Sequence, residues 1–109
     1  MISEELRADL KKAIKEAADK YDTPEYTTIP ADPKRPPYEI VVQPIRMLFS
    51  RTEGEKGLCR TLSISRMPAR PFTDYDLPEW KALVEEAVGH PIGACGFAFV
   101  DQKRIYCYW

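Results

Sequence analysis

The strongest constraint on the fold is a pair of runs in the middle of the chain that alternate apolar and polar residues. These runs cover residues 39–51 and 58–67, and a polar segment with two glycines, residues 52–57, separates them. A period of two puts successive side chains on opposite faces of a β-strand. A short polar segment containing glycine is typical of a turn between strands. The pattern therefore predicts a β-hairpin over residues 39–67.

The same alternation predicts how the two strands pair. With Arg51 opposite Leu58, Met47 faces Leu62 across the hairpin. One face then carries the large apolar side chains and forms the core face: Val41, Ile45, Met47, Phe49, Leu58, Leu62 and Ile64. The other face is polar apart from Leu48, and carries Arg46, Ser50, Cys59, Thr61, Ser63 and Ser65. A slip of one residue would exchange the two faces, so the pattern favours this register over its neighbours.

Two further segments repeat apolar residues at the spacing of an amphipathic helix, residues 3–21 and 77–88. In the second segment we expect Asp76 to cap the helix while Glu79 reaches back to its amide. Gly89 then ends this helix, because glycine adopts the left-handed conformation at little cost. The chain is therefore predicted to alternate one helix with one hairpin.

The last residues predict a second hairpin, with strands over residues 93–100 and 105–109. A tight turn at residues 101–104 places Val100 opposite Ile105. One face then carries Phe97, Phe99, Tyr106 and Tyr108, and the other carries Val100, Ile105, Cys107 and Trp109. Both faces of this hairpin are thus predicted to be apolar.

The predicted fold class is α+β, with the order α-β-β-α-β-β. Short hairpin connections give antiparallel neighbours, and each helix has one apolar stripe to bury. We expect a four-stranded antiparallel sheet with both helices packed on one face. A length of 109 residues fits a single domain over residues 1–109.

Inside this domain, residues 22–38 predict an extended arm. The segment holds half of the ten prolines of the chain: Pro24, Pro30, Pro33, Pro36 and Pro37. Each proline fixes its own φ and disfavours helix at the preceding residue. Whether this arm covers the apolar excess of the C-terminal hairpin stays open.

Positive charge is concentrated in the central hairpin and the residues after it. Residues 46–72 have a net charge of +4, although the whole chain has −1. The arginine fork suits carboxylates and phosphates, and nearby hydroxyls add donors. The candidate anion-binding or partner-binding residues are Arg46, Arg51, Arg60, Arg66, Arg70 and Ser63. The alternative is an ordinary solvated face, since charged runs usually are one.

The apolar excess of the C-terminal hairpin predicts an interface. Aromatic residues are enriched where proteins meet, and the candidates here are Phe97, Phe99, Tyr106, Tyr108 and Trp109. Our leading hypothesis is a non-enzymatic interaction protein that forms a homodimer or binds another protein through this hairpin. Anionic-ligand or nucleic-acid binding through the arginines is the alternative. The near-neutral net charge argues against a globally basic nucleic-acid binder but does not exclude an anion-binding face.

A cysteine-dependent enzyme is the third and weakest hypothesis. Cys95 follows the single histidine, His90, by five residues, but proximity in sequence does not establish a hydrogen bond between thiol and imidazole. Three cysteines without a Cys-x-x-Cys spacing predict reduced thiols, with no metal site and no cofactor. No apolar run approaches the length of a membrane span, and no secretory signal is recognisable, so we expect a cytoplasmic protein.

Overall fold

The computed structural model describes residues 2–21, 38–54, 57–97 and 99–109. For Tyr21 and the described residues between 51 and 59, only the backbone is described. The predicted arm over residues 22–38 lies outside the described residues, apart from Tyr38, which begins the first strand.

The described residues form two helices and five strands in one antiparallel sheet. In chain order these are α1 (Glu4–Tyr21), β1 (Tyr38–Val42), β2 (Ile45–Gly54), β3 (Gly57–Arg66), α2 (Asp76–Val88), β4 (Ala94–Phe97) and β5 (Arg104–Tyr108). The strand order across the sheet is β1-β2-β3-β5-β4. The predicted α+β class with an antiparallel sheet is confirmed, whereas the prediction of four strands is wrong.

The additional strand arises because the run over residues 39–51 is divided at Pro44. Proline has no N–H to donate to a strand ladder, and here the chain reverses so that Val42 pairs with Ile45. The reversal also changes which residues of β1 face the core. Ile40 is buried, whereas Val41, predicted in the core, is 48% exposed.

The central hairpin has the predicted faces but a different register. Met47 pairs with Ile64 rather than with Leu62, because the pairing continues as far as Gly54 and Gly57. The connection is therefore shorter than the predicted six-residue turn, and the register moves by two residues. An even shift keeps every side chain on its predicted face. Met47, Leu62 and Ile64 are accordingly all fully buried.

The C-terminal hairpin has a register three residues away from the predicted one. Phe97 pairs with Ile105, and Gly96 pairs with Tyr106. An odd shift reverses the faces of one strand relative to the other, so the predicted grouping of Phe97 with Tyr106 and Tyr108 is wrong. Val100 lies fully exposed in the connection between β4 and β5 rather than in a strand.

The reason for this shift is a longer connection that is held from outside the hairpin. The N–H of Gln102 donates to the carbonyl of Phe99 at 3.1 Å. The carbonyl of Gln102 in turn accepts a hydrogen bond from the N–H of Phe72 at 2.8 Å. Gln102 adopts a φ of 57°, a left-handed conformation that asparagine and glycine favour more than glutamine does. The contact with Phe72 is long-range, and the pattern of residues 93–109 carries no trace of it.

Both helices pack on the same face of the sheet and share one core with it. Leu10 and Ile14 of α1 meet Leu83 and Val84 of α2 within a cluster that also contains Met47. This side of the sheet is the core face. Among the described residues no helix packs on the opposite side, which is called the outer face.

The start of α2 differs from the predicted capping arrangement. Asp76 is the first residue of the helix, and its Oδ2 accepts hydrogen bonds from the N–H and the hydroxyl of Thr73. Glu79 does not reach back to Asp76, because its Oε1 accepts from the N–H of Ile2 at 2.8 Å. The end of the helix is as predicted, since Gly89 adopts a φ of 82° and donates its N–H to the carbonyl of Glu85.

Candidate functional site

The outer face presents rows of side chains that run across β2, β3 and β5. In one row the register aligns Arg46, Ser65 and Arg104, and in the next it aligns Leu48, Ser63 and Tyr106. Directly opposed side chains on neighbouring strands lie close enough to form one surface. The first of these rows is cationic and the second is apolar and aromatic.

The cationic row opens into a pocket at one end of the outer face, called the basic pocket below. Its volume is about 550 Å³, and its charged lining consists of Arg46, Arg66, Lys103, Arg104 and Asp101. Three separate parts of the chain supply these residues: the start of β2, the end of β3 and the connection into β5. The lining itself thus has four cations and one carboxylate, and such an excess of positive charge attracts anions.

Two of the four cations already have carboxylate partners. Arg46 forms an ion pair with Glu39 at 2.7 Å. Arg66 donates to the carbonyl of Pro71 at 2.7 Å and lies 3.6 Å from the carboxylate of Asp76.

The other two cations, Lys103 and Arg104, are both exposed. No ion pair to either of them occurs among the residues that the structure describes. These two side chains are therefore the ones most available to an incoming anion.

A strip of aromatic residues continues from the basic pocket along β5. The guanidinium of Arg104 approaches the hydroxyl of Tyr106 at 3.5 Å. The rings of Tyr106 and Tyr108 are stacked, with centroids 6.3 Å apart and an angle of 20° between their planes. Tyr108 is 41% exposed. Tyr106 and Tyr108 are called the tyrosine strip below. Together with Arg104 they form one continuous surface of cationic and aromatic groups.

The structure separates the arginines that the sequence grouped together. Arg46 and Arg66 meet in the basic pocket, but Arg60 lies at the opposite end of β3 in a smaller pocket with Trp109 and His90. Arg70 is exposed between β3 and α2 and does not line the basic pocket, although the preceding residue, Ala69, does.

The remaining two members of the predicted set, Arg51 and Ser63, are not in the described lining of the basic pocket. Arg51 pairs with Arg60 in the register, and its side chain is outside the described part. Ser63 is buried, with 7% exposure, and offers little to a ligand.

Lys103 and Arg104 were not singled out from the sequence, because they belong to a C-terminal segment that is acidic overall. They join Arg46 only because β5 lies beside β3, where Arg104 pairs with Ser65. Two adjacent cations at the end of the predicted turn over residues 101–104 were the available signal. Its meaning depended on the strand order.

The aromatic residues predicted as an interface fall into two groups. Phe97 and Trp109 are partly buried against the core, and Trp109 meets Phe49 edge-on at a centroid distance of 5.4 Å. Phe99 is 59% exposed and lines the basic pocket. Phe99, Tyr106 and Tyr108 therefore remain available on the outside of the molecule, and the other two stabilise the fold.

The structure does not bring Cys95 and His90 together. His90 is exposed, and its Nδ1 lies 2.8 Å from the carbonyl of Pro91. The partner of Cys95 is instead Cys107, whose Sγ lies 2.8 Å from the Sγ of Cys95. Among the described residues there is no cluster of three or more histidine, cysteine or acidic side chains with metal-binding geometry.

Comparison of the chain with protein-family models, with curated proteins and with solved structures found no match. In the part of the chain that the structure describes, neither helix has the length and apolar character required to cross a membrane.

Proposed function

We propose that the protein is a non-enzymatic binding protein whose outer face binds single-stranded nucleic acid. The basic pocket receives a backbone phosphate, and the tyrosine strip stacks with a base. The observation that carries this proposal is the contact between Arg104 and Tyr106, which joins the cationic and aromatic groups into one surface.

Single-stranded nucleic acid is the class of ligand that uses both groups. Proteins that bind it combine cations along the backbone with aromatic side chains that stack on the bases. A free phosphate or an acidic peptide would use the cations alone. The exposed ring of Tyr108 and its stacked neighbour therefore favour a polyanion that carries bases.

The net charge of −1 does not oppose this proposal, because the charge is unevenly distributed. Most acidic residues of α1 and α2 belong to the helical layer, on the other side of the sheet from the basic pocket; the exception is Asp76, which pairs with Arg66. Association is governed by the potential near the binding surface, and salt screens charges more than about 10 Å away. A cytoplasmic location is part of the proposal, and three cysteines without a Cys-x-x-Cys spacing support it.

The test is fluorescence anisotropy with a labelled single-stranded oligonucleotide of about 12 nucleotides, within the usual site sizes. Tyr108→Ala removes one stacking ring and should weaken binding by about 1–3 kcal/mol, or about 5- to 150-fold in Kd. Tyr108→Leu is the matched control, because it keeps an apolar side chain but has no flat ring. It should bind the oligonucleotide almost as weakly as Tyr108→Ala does.

Inorganic polyphosphate, which has charge but no bases, separates stacking from charge. We expect it to compete poorly with the oligonucleotide for the natural protein. Equal competition, together with unchanged binding by Tyr108→Ala, would show a charge-only site and refute the role of the tyrosines. Absence of binding even at low salt would refute the proposal as a whole.

Self-association is a second candidate, favoured by the apolar side chains exposed on the outer face. Val41 is 48% exposed and Tyr108 is 41% exposed, and aromatic residues are enriched at protein interfaces. Light scattering over the micromolar range tests it. A dimer that disappears in Tyr108→Ala would support this candidate, and a strict monomer would remove it.

A further inference from the structure

Cys95 and Cys107 lie directly opposite each other on β4 and β5. Directly opposed residues of antiparallel strands have Cα atoms about 4.5–5.5 Å apart, which is within the range that a disulfide spans. Their sulfur atoms are already 2.8 Å apart and share a hydrogen bond. A disulfide needs a further approach of only about 0.8 Å, which small side-chain rotations supply.

The two thiols differ in accessibility. β4 is an edge strand, and Cys95 is partly exposed there beside α2, whereas Cys107 is fully buried in the core. An external molecule therefore reaches Cys95 first. Cys107 reacts only with a group already attached to Cys95.

The two thiols also differ in acidity. The hydrogen bond from Cys107 lowers the pKa of Cys95, and the positive charge of Lys81 acts in the same direction, while burial and Glu85 oppose it. The same bond and burial raise the pKa of Cys107. Because the thiolate is the reactive form, this difference assigns the same order of reaction as accessibility does.

We infer that Cys95 and Cys107 form a dithiol–disulfide exchange site whose substrate is a small-molecule disulfide. In this site Cys95 is the attacking thiol and Cys107 is the resolving thiol. This inference is independent of nucleic-acid binding, since it rests on the core side of β4 and β5 and uses no residue of the basic pocket or the tyrosine strip.

The reaction balances in two exchange steps. The Cys95 thiolate attacks one sulfur of the disulfide RSSR, the S–S bond breaks, and RS⁻ leaves and takes up a proton. Cys107 then loses its proton, attacks the Sγ of Cys95 and releases the second RS⁻, which is also protonated. The two protein thiols are oxidised by two electrons, and one RSSR is reduced to two RSH.

Oxidation would join the edge strand β4 covalently to β5. The ring so closed runs from residue 95 to residue 107 and includes the whole connection between the two strands. Reduction would leave β4 held only by its ladder with β5 and by its contacts with the core. The exchange site thus controls how firmly this edge of the sheet is fixed.

The test uses the folded protein with Cys59→Ser, so that only the two thiols of interest remain. The protein is equilibrated with defined ratios of reduced and oxidised glutathione and is then quenched with acid. Mass spectrometry should show the loss of two hydrogen atoms, with peptide mapping that links Cys95 to Cys107. Raising the ratio of reduced to oxidised glutathione again should restore both thiols.

Two variants separate the roles of the thiols. Cys107→Ser should accumulate a mixed disulfide between Cys95 and glutathione, because the resolving thiol is absent. Cys95→Ser should leave Cys107 unmodified, because this thiol is buried. Circular dichroism verifies that each variant is folded, and the mapping of the parent protein needs neither variant.

Three results would overturn the inference. One is that both thiols stay reduced at every glutathione ratio. Another is a disulfide that forms between molecules rather than within one. The third is a disulfide between Cys95 and Cys107 that reduced glutathione does not open, since that bond would be structural rather than exchangeable.

Discussion

Replacing Lys103 and Arg104 together by glutamine is the sharpest test of the basic pocket. These are the two lining cations without an ion pair among the described residues, whereas Arg46 and Arg66 already have carboxylate partners. The double variant keeps both side chains long and polar but removes two charges. Both residues are exposed, so the fold should be retained.

The expected magnitude follows from counterion release. Each phosphate neutralised on a single strand contributes about −0.7 to the slope of log K against log salt concentration. Two available cations give a slope of about −1.4, so affinity should fall about sevenfold between about 50 and 200 mM salt. In Lys103→Gln/Arg104→Gln the slope should approach zero.

The assay is anisotropy with the labelled oligonucleotide at a series of salt concentrations. Lys12→Gln/Lys15→Gln is the matched control, because it removes two positive charges from exposed positions of α1 that do not line the basic pocket. It should keep nearly the full slope. If the pocket variant retains the natural slope, or if the control loses it equally, the cations of the basic pocket do not contact the phosphates.

Two further predictions concern stability. Phe72→Ala should lower the free energy of unfolding, measured with urea, by about 3–5 kcal/mol. The reason is that the buried ring packs edge-on against Trp80 at a centroid distance of 6.1 Å and lies under the guanidinium of Arg66 at 4.3 Å. A decrease below about 1 kcal/mol would contradict this packing role. The hydrogen bond from Arg7, and after it the one from Lys11, lowers the pKa of Glu86 in the folded protein. The ionised Glu86 therefore stabilises the fold fully at pH values above the pKa that this carboxyl has in the unfolded chain. This stabilisation is lost as the pH falls through the lower pKa of the folded protein. Glu86→Gln should therefore be less stable than the natural protein at neutral pH and equal to it in acid, and a difference that persists in acid would refute this electrostatic origin.

The elements of the fold could be predicted because their signals are local. The apolar stripe of α1 and the alternation of β2 and β3 depend only on neighbouring residues, since helices and strands have fixed side-chain periods. The fifth strand was missed at Pro44, although a proline within an apparent strand is itself a signal for a division.

The two register errors had unequal consequences for a simple geometric reason. In the central hairpin the shift of two residues left Met47 and Ile64 on the core face. In the C-terminal hairpin the shift of three residues moved Phe97 to the core face and left Tyr106 on the outer face. Side chains alternate with a period of two, so only an odd shift changes the face.

Only some residues of the candidate site could be predicted from the sequence. Arg46, Tyr106 and Tyr108 were named from their residue types and local pattern. That Arg46 and Arg104 lie close together follows only from the pairing of β5 with β3. That the thiols of Cys95 and Cys107 face each other follows only from the register of β4 on β5.

The sequence by itself determined the α+β class, both helices and the apolar face of the central hairpin, because these follow from periodicity within short segments. Only the tertiary structure decided the strand order, the registers and hence the two sites. The physical reason is that strand pairing joins residues far apart in the chain, and its register depends on connections such as the one that Phe72 holds at Gln102. No local pattern records such a contact.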